Sequence, residues 1–443
     1  MSTDPVELFV QLAGAHERMF WLDGGGSRTW SGRRSILGGL RAEDVSLTYS
    51  ATSRKVTRHQ HGRTDVVGDD PFLVLAEHVA RDAGDRRVSW VGYFGYASRP
   101  DLPAAPGDPD VPDAVWMRVR DPVFVDHDVP GGALGARSPA VSGRPSRTRP
   151  SRVAAPGPGP ARDRPHLPDP GYLAAFDRVQ TELRRGNSYE VNLTYRESLT
   201  SPVDPVSAYL RLRAASPAPY AGFLQHPGVR LLSSSPERFA TVDRDGWLET
   251  KPIKGTTPRG GTPEQDARHR AELSGHPRYR AENLMIVDLL RNDLSLVCDP
   301  GTVTVPVLME VESYAAVHQL VSTVRGRLRS GLGTVEALRA LFPAGSMTGA
   351  PKLRTMQIID AVERSPRGVY AGAFGWVGAD GRADLGVVIR SLVATPAPDD
   401  PAAWRYSLGT GGGITVRSEA TEEYAETRWK AAHLRSAVTG PAT

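Results

Sequence analysis

Residues 129–170 are the feature that most constrains how this chain of 443 residues can fold. The stretch is rich in Pro, Gly, Ser, Ala and Arg, and it offers few apolar side chains to a core. Burial therefore cannot offset the conformational entropy that is lost when such a stretch is ordered. We predict a linker or a disordered surface loop here, which leaves an N-terminal subdomain over 1–128 and a larger region over 171–443.

The positive charge of the chain lies mostly in this same stretch. The formal net charge is +4, and residues 131–165 alone hold seven arginines against one acidic residue, Asp163. The rest of the chain therefore offers no broad basic face. Binding of nucleic acid through the arginine-rich stretch is an alternative, but no aromatic side chains are interleaved there for stacking on bases. We expect no nucleic-acid partner.

Cysteine usage and hydropathy point to a compartment. Cys298 is the single cysteine, so no disulfide can form within the chain, and a reducing environment fits. The first residues, Met-Ser-Thr-Asp-Pro, lack the basic and apolar segments of a signal peptide. No apolar run approaches the length of about 18 residues that a membrane helix needs. We expect a cytoplasmic protein without membrane contact.

A predicted strand that ends at Lys254 is the strongest chemical signal. Residues 239–242 and 247–250 have β-type composition, and Gly255 allows another backbone to approach closely. A lysine at such a junction can point into a cleft. Desolvation there would lower its pKa from about 10.4 and free the amine as a nucleophile. The alternative is a solvated lysine beside a turn, because lysine is usually exposed.

Two predicted helices carry carboxylates, one running from after Thr262 to about Val297 and one over 418–438. In the second, spacings of three and four residues place four charged side chains on one face: Glu419, Glu423, Glu426 and Lys430. In the first, Glu282 lies among apolar residues that must face inward. A buried carboxylate is costly unless a cation relieves it, and oxygen ligands of this kind suit magnesium. A solvated helix face is the alternative for the second helix.

Several motifs between 172 and 437 resemble the chorismate-utilising enzymes, in the order in which that family carries them. They are SSPERF at 234–239, PIKGT at 252–256, ENLMIVDLLRND at 282–293, FPAGSMTGAPK at 342–352, GGGI at 411–414 and EYAETRWK at 423–430. The family includes anthranilate synthase component I, isochorismate and salicylate synthases and aminodeoxychorismate synthase component I. The resemblance implies its α/β fold, in which two large antiparallel sheets pack face to face and are flanked by helices, with 171–443 as the chorismate-binding catalytic region.

The same resemblance implies a set of site residues. Lys254 matches the nucleophile that attacks the chorismate ring, and Glu237 matches the general acid. Glu282 and Glu426 match magnesium ligands, and Glu423 matches a position near the metal. The substrate-lining positions that it implies are Thr256, His318, Tyr370, Arg390, Gly412, Gly413, Lys430 and Glu190.

Lys254 and Glu190 bear on which reaction is implied. Anthranilate synthases typically have alanine in place of Lys254. Aminating relatives commonly have glutamine in place of Glu190, and water-adding relatives have a lysine base there. The resemblance thus implies amination of chorismate to 4-amino-4-deoxychorismate, with anthranilate or isochorismate synthase as the alternatives. Cys298 lacks the turn of a glutaminase nucleophile, so we expect ammonia from a separate glutamine amidotransferase subunit in a heterodimer.

Overall fold

The computed structural model describes residues 4–24, 34–127, 133–134, 168–314 and 317–440. Nearly all of the predicted linker over 129–170 lies outside these residues, so the linker stays a prediction. In the described part of the chain, no helix combines the length and the apolar character needed to span a membrane.

Five of the nine α-helices in the described residues begin at a residue whose side chain caps the first turn. The nine are α1 (Pro5–Ala15), α2 (Pro71–Arg81), α3 (Pro170–Arg184), α4 (Pro205–Ala215), α5 (Pro263–Gly275), α6 (Pro277–Ser295), α7 (Thr334–Leu341), α8 (Lys352–Val362) and α9 (Ala420–Thr439). Each of α1 to α4 starts at an Asp-Pro pair, in which the Asp side chain accepts a hydrogen bond from a first-turn amide. Proline fits the first turn because its missing amide would have no helical partner.

The strands fall into two sequence halves. Before α3 lie β1 (Arg18–Asp23), β2 (Arg34–Leu40), β3 (Ser46–Ser50), β4 (Lys55–Gln60), β5 (Arg63–Gly68), β6 (Val88–Phe94), β7 (Ala114–Arg120), β8 (Val123–Asp126) and β9 (Ala133–Leu134). After α3 lie β10 (Glu190–Ser201), β11 (Tyr220–His226), β12 (Val229–Ser235), β13 (Arg238–Val242), β14 (Trp247–Lys251), β15 (Ile253–Pro258), β16 (Thr304–Ser313), β17 (Val317–Arg327), β18 (Gly349–Ala350), β19 (Ala373–Gly378), β20 (Ala383–Val387), β21 (Ser391–Pro396) and β22 (Trp404–Ile414).

These strands form two antiparallel sheets. The first has the order β18-β10-β22-β21-β12-β11-β1-β2-β8-β9. The second has the order β15-β17-β14-β13-β20-β19-β6-β7-β3-β4-β5, with β16 also paired to β17. Strands from 1–128 extend both sheets, so this part of the chain shares one hydrogen-bonded framework with residues 171–443.

The two sheets pack face to face around a shared core. Phe20 and Leu231 of the first sheet lie in one cluster with Tyr93 and Phe374 of the second. Helices α1, α4 and α9 cover the outer face of the first sheet, and α2, α6 and α7 pack on the second. This arrangement confirms the predicted fold class.

The prediction of one continuous helix from after Thr262 to about Val297 is wrong, because the structure has two helices there. The chain breaks at His276, which separates α5 from α6 with extended backbone angles of φ −67° and ψ 116°. The physical reason is Pro277, because the ring of a proline disfavours helical geometry at the residue before it. The break places Arg278 in the first turn of α6, next to the site described below.

Candidate active site

A cavity of about 140 Å³ opens where β15 of one sheet and β22 of the other meet α6 and α9. Most of the residues predicted from the sequence line it: Glu237, Lys254, Thr256, Glu282, Tyr370, Arg390, Gly412, Gly413, Glu423, Glu426 and Lys430. The motifs are far apart along the chain, and the two-sheet fold brings them to one place.

Lys254 lies in β15 and pairs with Glu190, the first residue of β10. Its Nζ donates a short hydrogen bond to Oε1 of Glu190. The two side chains are 10% and 1% exposed, so the ion pair has little contact with solvent. Glu190 is not itself a lining residue of the cavity, so the structure places it in contact with Lys254 rather than on the wall where substrate would lie.

The pKa of Lys254 differs from the expectation drawn from the sequence. Burial by itself lowers the pKa of the amine, as expected, but the carboxylates of Glu190 and Glu282 outweigh burial, and the pKa is raised. Lys254 is therefore an ammonium ion at neutral pH in the free protein. It can act as a nucleophile only after that proton has been removed.

Glu237 has the protonation behaviour of an acid catalyst. It lies between β12 and β13 and is 6% exposed. Burial raises the pKa of Glu237 to about 7, and a hydrogen bond from Ser346 Oγ to its Oε1, at 2.6 Å, limits the rise. A carboxyl group that titrates near neutrality can hold a proton and deliver it to a leaving group at physiological pH.

Three carboxylates from α6 and α9 gather around Arg278. Its Nε donates to Oε1 of Glu282 at 2.8 Å, and its Nη2 donates to Oε1 of Glu423. Glu426 pairs instead with Lys430, at 2.7 Å. Burial raises the pKa of Glu423, and the neighbouring Glu426 and Glu282 add to the rise. The crowded negative charge is balanced by the two cations Arg278 and Lys430.

These carboxylates have the chemistry of a magnesium site. Magnesium prefers hard oxygen ligands, and carboxylates on one cavity wall supply them. In the described ranges, no three His, Cys, Asp or Glu side chains are already arranged as a ligand cluster. Glu282 and Glu423 are instead held by Arg278, and Glu426 by Lys430. A bound divalent ion would compete with Arg278 for Glu282 and Glu423, and with Lys430 for Glu426.

Glycines of β22 provide the space for the Lys254 ion pair. Gly413 lies opposite Asn192 in the pairing of β22 with β10. A Cβ at Gly413 would collide with Oε1 of Glu190 and would lie 3.2 Å from Nζ of Lys254. Glycine at this position allows close approach, because a Cβ would force the end of the Glu190 side chain to move.

The remaining predicted residues differ in their relation to the cavity. Three of them line it: Thr256, Tyr370 and Arg390. Arg390 has a φ of 48°, in the left-handed region that non-glycine residues seldom adopt. His318 does not line the cavity; it is buried, with Nε2 3.0 Å from Oδ1 of Asp266 and Nδ1 2.8 Å from Oγ of Ser313. Its substrate-lining role stays an expectation from the resemblance.

Two residues of the site were missed in the sequence interpretation. Arg278 precedes Glu282 by four residues on one helix, and this spacing is a usable signal for an ion pair. Ser346 lies within the FPAGSMTGAPK motif, but its contact with Glu237 spans 109 residues of chain. No local pattern could have shown that contact.

The sequence is similar to known proteins over nearly its whole length. The family model described as chorismate binding enzyme matches residues 20–436. The chain is 40% identical to the aminodeoxychorismate synthase of Streptomyces pristinaespiralis, over 98% of this chain and 64% of that protein. It is 43% identical to the aminodeoxychorismate synthase of Streptomyces griseus, over 96% of this chain and 61% of that protein. The chain thus spans less than two thirds of the length of these two relatives.

A solved structure has the same fold. Anthranilate synthase component I from Streptococcus pneumoniae superposes with a TM-score of 0.71 at 25% identity, covering 92% of this chain and 93% of that one. The family match extends over both sheets and the helices that form the cavity. The chain belongs to the family of chorismate-binding enzymes.

Proposed function

We propose that this protein is the synthase component that aminates chorismate to 4-amino-4-deoxychorismate, a precursor of p-aminobenzoate. The observation that carries the proposal is that Lys254 and Glu237 face one cavity, where a nucleophile and a proton donor can act on the same ring. The similarity to proteins named aminodeoxychorismate synthase supports it.

The proposed reaction has two substitution steps. Glu237 protonates the hydroxyl group that leaves ring carbon 4, while neutral Lys254 attacks ring carbon 2 and both conjugated ring double bonds shift by one position toward carbon 4. Water departs, and the ring is joined to Lys254. Ammonia then adds at carbon 4 and gives a proton back to Glu237, the two double bonds shift back, and the bond to Lys254 breaks. The product keeps both carboxylates and carries nitrogen where the hydroxyl group was.

Charged side chains on the cavity wall suit the two carboxylates of chorismate. Arg390 can form bidentate hydrogen bonds with one, and Lys430 offers a point charge. We assign Glu282, Glu426 and Glu423 as the residues that would hold magnesium. Magnesium, when bound, supplies an anchor for the ring carboxylate and polarises the conjugated system.

Ammonia needs a source other than Cys298. Glutamine hydrolysis of the usual kind uses a cysteine nucleophile beside a base. Cys298 is the only cysteine in the sequence. It is buried, and burial raises the pKa of its thiol to about 11. Such a thiol is not activated, so we propose that a separate glutamine amidotransferase subunit delivers the ammonia, with the synthase in the cytoplasm.

The test is product analysis with purified protein, chorismate, magnesium and ammonium, with no glutaminase added. We expect 4-amino-4-deoxychorismate by mass spectrometry and NMR. Anthranilate with pyruvate as the main product would assign the protein to anthranilate synthase instead, and isochorismate would assign it to the water-adding enzymes.

A further inference from the structure

Lys254 needs a proton acceptor, and its ion pair supplies one. In the free protein the amine is protonated, so its proton must leave before the nitrogen can attack a ring carbon. Oε1 of Glu190 is in direct hydrogen-bond contact with Nζ. In the part of the chain that the structure describes, the other oxygen, Oε2, has no hydrogen-bond partner. The carboxylate can therefore take a proton without first breaking other contacts.

The other charged groups that influence this pair come from several elements. Glu282 and Arg278 of α6, Glu237 of the loop before β13, and Glu426 of α9 all act on it electrostatically. Each of these has another described partner: Arg278 for Glu282, Ser346 for Glu237 and Lys430 for Glu426. Glu190 differs, because the partner it holds is the proposed nucleophile.

We propose that Glu190 is the base that takes the proton of Lys254 when chorismate is bound. The proton passes from Nζ to the Glu190 carboxylate, and the electron pair left on nitrogen forms the bond to the ring. When Lys254 is released as an amine, the proton returns from Glu190, so no further reactant is consumed. The inference rests on the proposed function, because it requires Lys254 to be the nucleophile.

Burial makes Glu190 suited to this exchange. Desolvation disfavours its charged form and raises the pKa of the carboxyl group, so it is a stronger base than an exposed carboxylate. Gly413 packs against both partners, and a larger side chain there would separate them. A glutamine in this place would keep the shape of the side chain but accept no proton, which makes Glu190→Gln the direct test of the role.

The first measurement is the protonation of Lys254 in Glu190→Gln. Lys254 is labelled with an amine-reactive reagent across a range of pH, and the modified peptide is quantified by mass spectrometry. The rate of labelling reaches a plateau at high pH, where the amine is deprotonated, and this plateau reports access of the reagent. The midpoint of the pH profile reports the proton affinity of the amine. Without the carboxylate, the midpoint of Lys254 labelling should move to lower pH. At a pH below the midpoints of both proteins, the labelling rate divided by the plateau rate should be about tenfold or more higher in Glu190→Gln than in the wild type.

The second measurement is formation of the covalent adduct in a single turnover. Wild type and Glu190→Gln receive chorismate and magnesium without ammonium, and the adduct is measured by intact mass as a function of pH. In the wild type the proton goes to Glu190, so adduct should form at pH values well below the labelling midpoint of Lys254. In Glu190→Gln the proton must go to solvent, so the acid limb should coincide with the labelling midpoint of that variant.

Glu312→Gln is the matched control. Glu312 accepts a hydrogen bond from Lys251 at 2.6 Å, in a neighbouring ion pair outside the cavity lining. This variant should leave both Lys254 profiles unchanged. An unchanged labelling midpoint in Glu190→Gln, or a wild-type adduct profile that follows the Lys254 midpoint, would overturn the role of Glu190 alone. Absence of any adduct on the wild type would overturn the proposed function as well.

Discussion

Glu237→Gln should separate stability from catalysis. Glutamine has nearly the same shape as glutamate, and its amide oxygen can still accept the hydrogen bond from Ser346. The variant cannot donate a carboxylic proton, so turnover should be lost. It also cannot become charged inside the protein, so it should be more stable than the wild type wherever Glu237 is ionised.

The magnitude follows from the pKa of Glu237. Burial raises it from an ordinary value of 4.5 to about 7, so the folded state binds this proton more tightly than the unfolded state does. The stabilisation from the bound proton is full below pH 4.5 and is lost as the pH rises through 7. The ionised side chain then costs the fold about 3 kcal/mol, which Glu237→Gln avoids.

The assay is thermal unfolding of wild type and variant at acid and mildly alkaline pH. Near pH 5 the free energies of unfolding of the two proteins should differ by less than about 1 kcal/mol. Near pH 8 the variant should be more stable than the wild type by about 3 kcal/mol. A difference in stability that does not change with pH, or a variant that is less stable at the higher pH, would refute a buried carboxyl group with a raised pKa.

Four further substitutions test the surrounding contacts. Gly413→Ala should lower kcat by about a hundredfold with the fold retained, because a Cβ there collides with the Lys254 ion pair; normal kcat would show that the pair has room to shift. Glu282→Gln and Glu426→Gln should each abolish magnesium-dependent turnover without unfolding, and unchanged magnesium dependence would make them ordinary helix charges. Ser346→Ala removes a bond that lowers the pKa of Glu237, so the alkaline limb of turnover should move to higher pH; an unmoved limb would remove Ser346 from the acid site.

The candidate site residues were predicted chiefly from the resemblance to the chorismate-utilising enzymes, and local patterns gave only part of their setting. Composition predicted a strand that ends at Lys254, but β14 ends at Lys251 and Lys254 is the second residue of β15. The inward face around Glu282 does follow from spacing over a few residues. The order of the motifs was enough to predict two packed antiparallel sheets. These features could be predicted because each depends on the chain close to it or on a family-wide pattern.

The electrostatics of the site could not be predicted in this way. Glu190 and Lys254 are 64 residues apart and belong to different sheets, so only the tertiary packing brings them together. The expectation that burial alone would control the pKa of Lys254 failed for that reason. Similarly, Arg278 reaches Glu423 across 145 residues, and its position in α6 depends on the break before Pro277.

The covalent role of Lys254 is the central claim, and intact-mass analysis of a quenched single turnover tests it most directly. With chorismate and magnesium but no ammonium, we predict an adduct on the wild type and none on Lys254→Ala. With ammonium, turnover by the alanine variant should fall strongly while its affinity for chorismate changes little, because the cations proposed to bind substrate, Arg390 and Lys430, remain. Residual reaction should shift toward addition of ammonia at ring carbon 2. Full formation of 4-amino-4-deoxychorismate by Lys254→Ala would contradict the claim and leave Lys254 as a positioning residue.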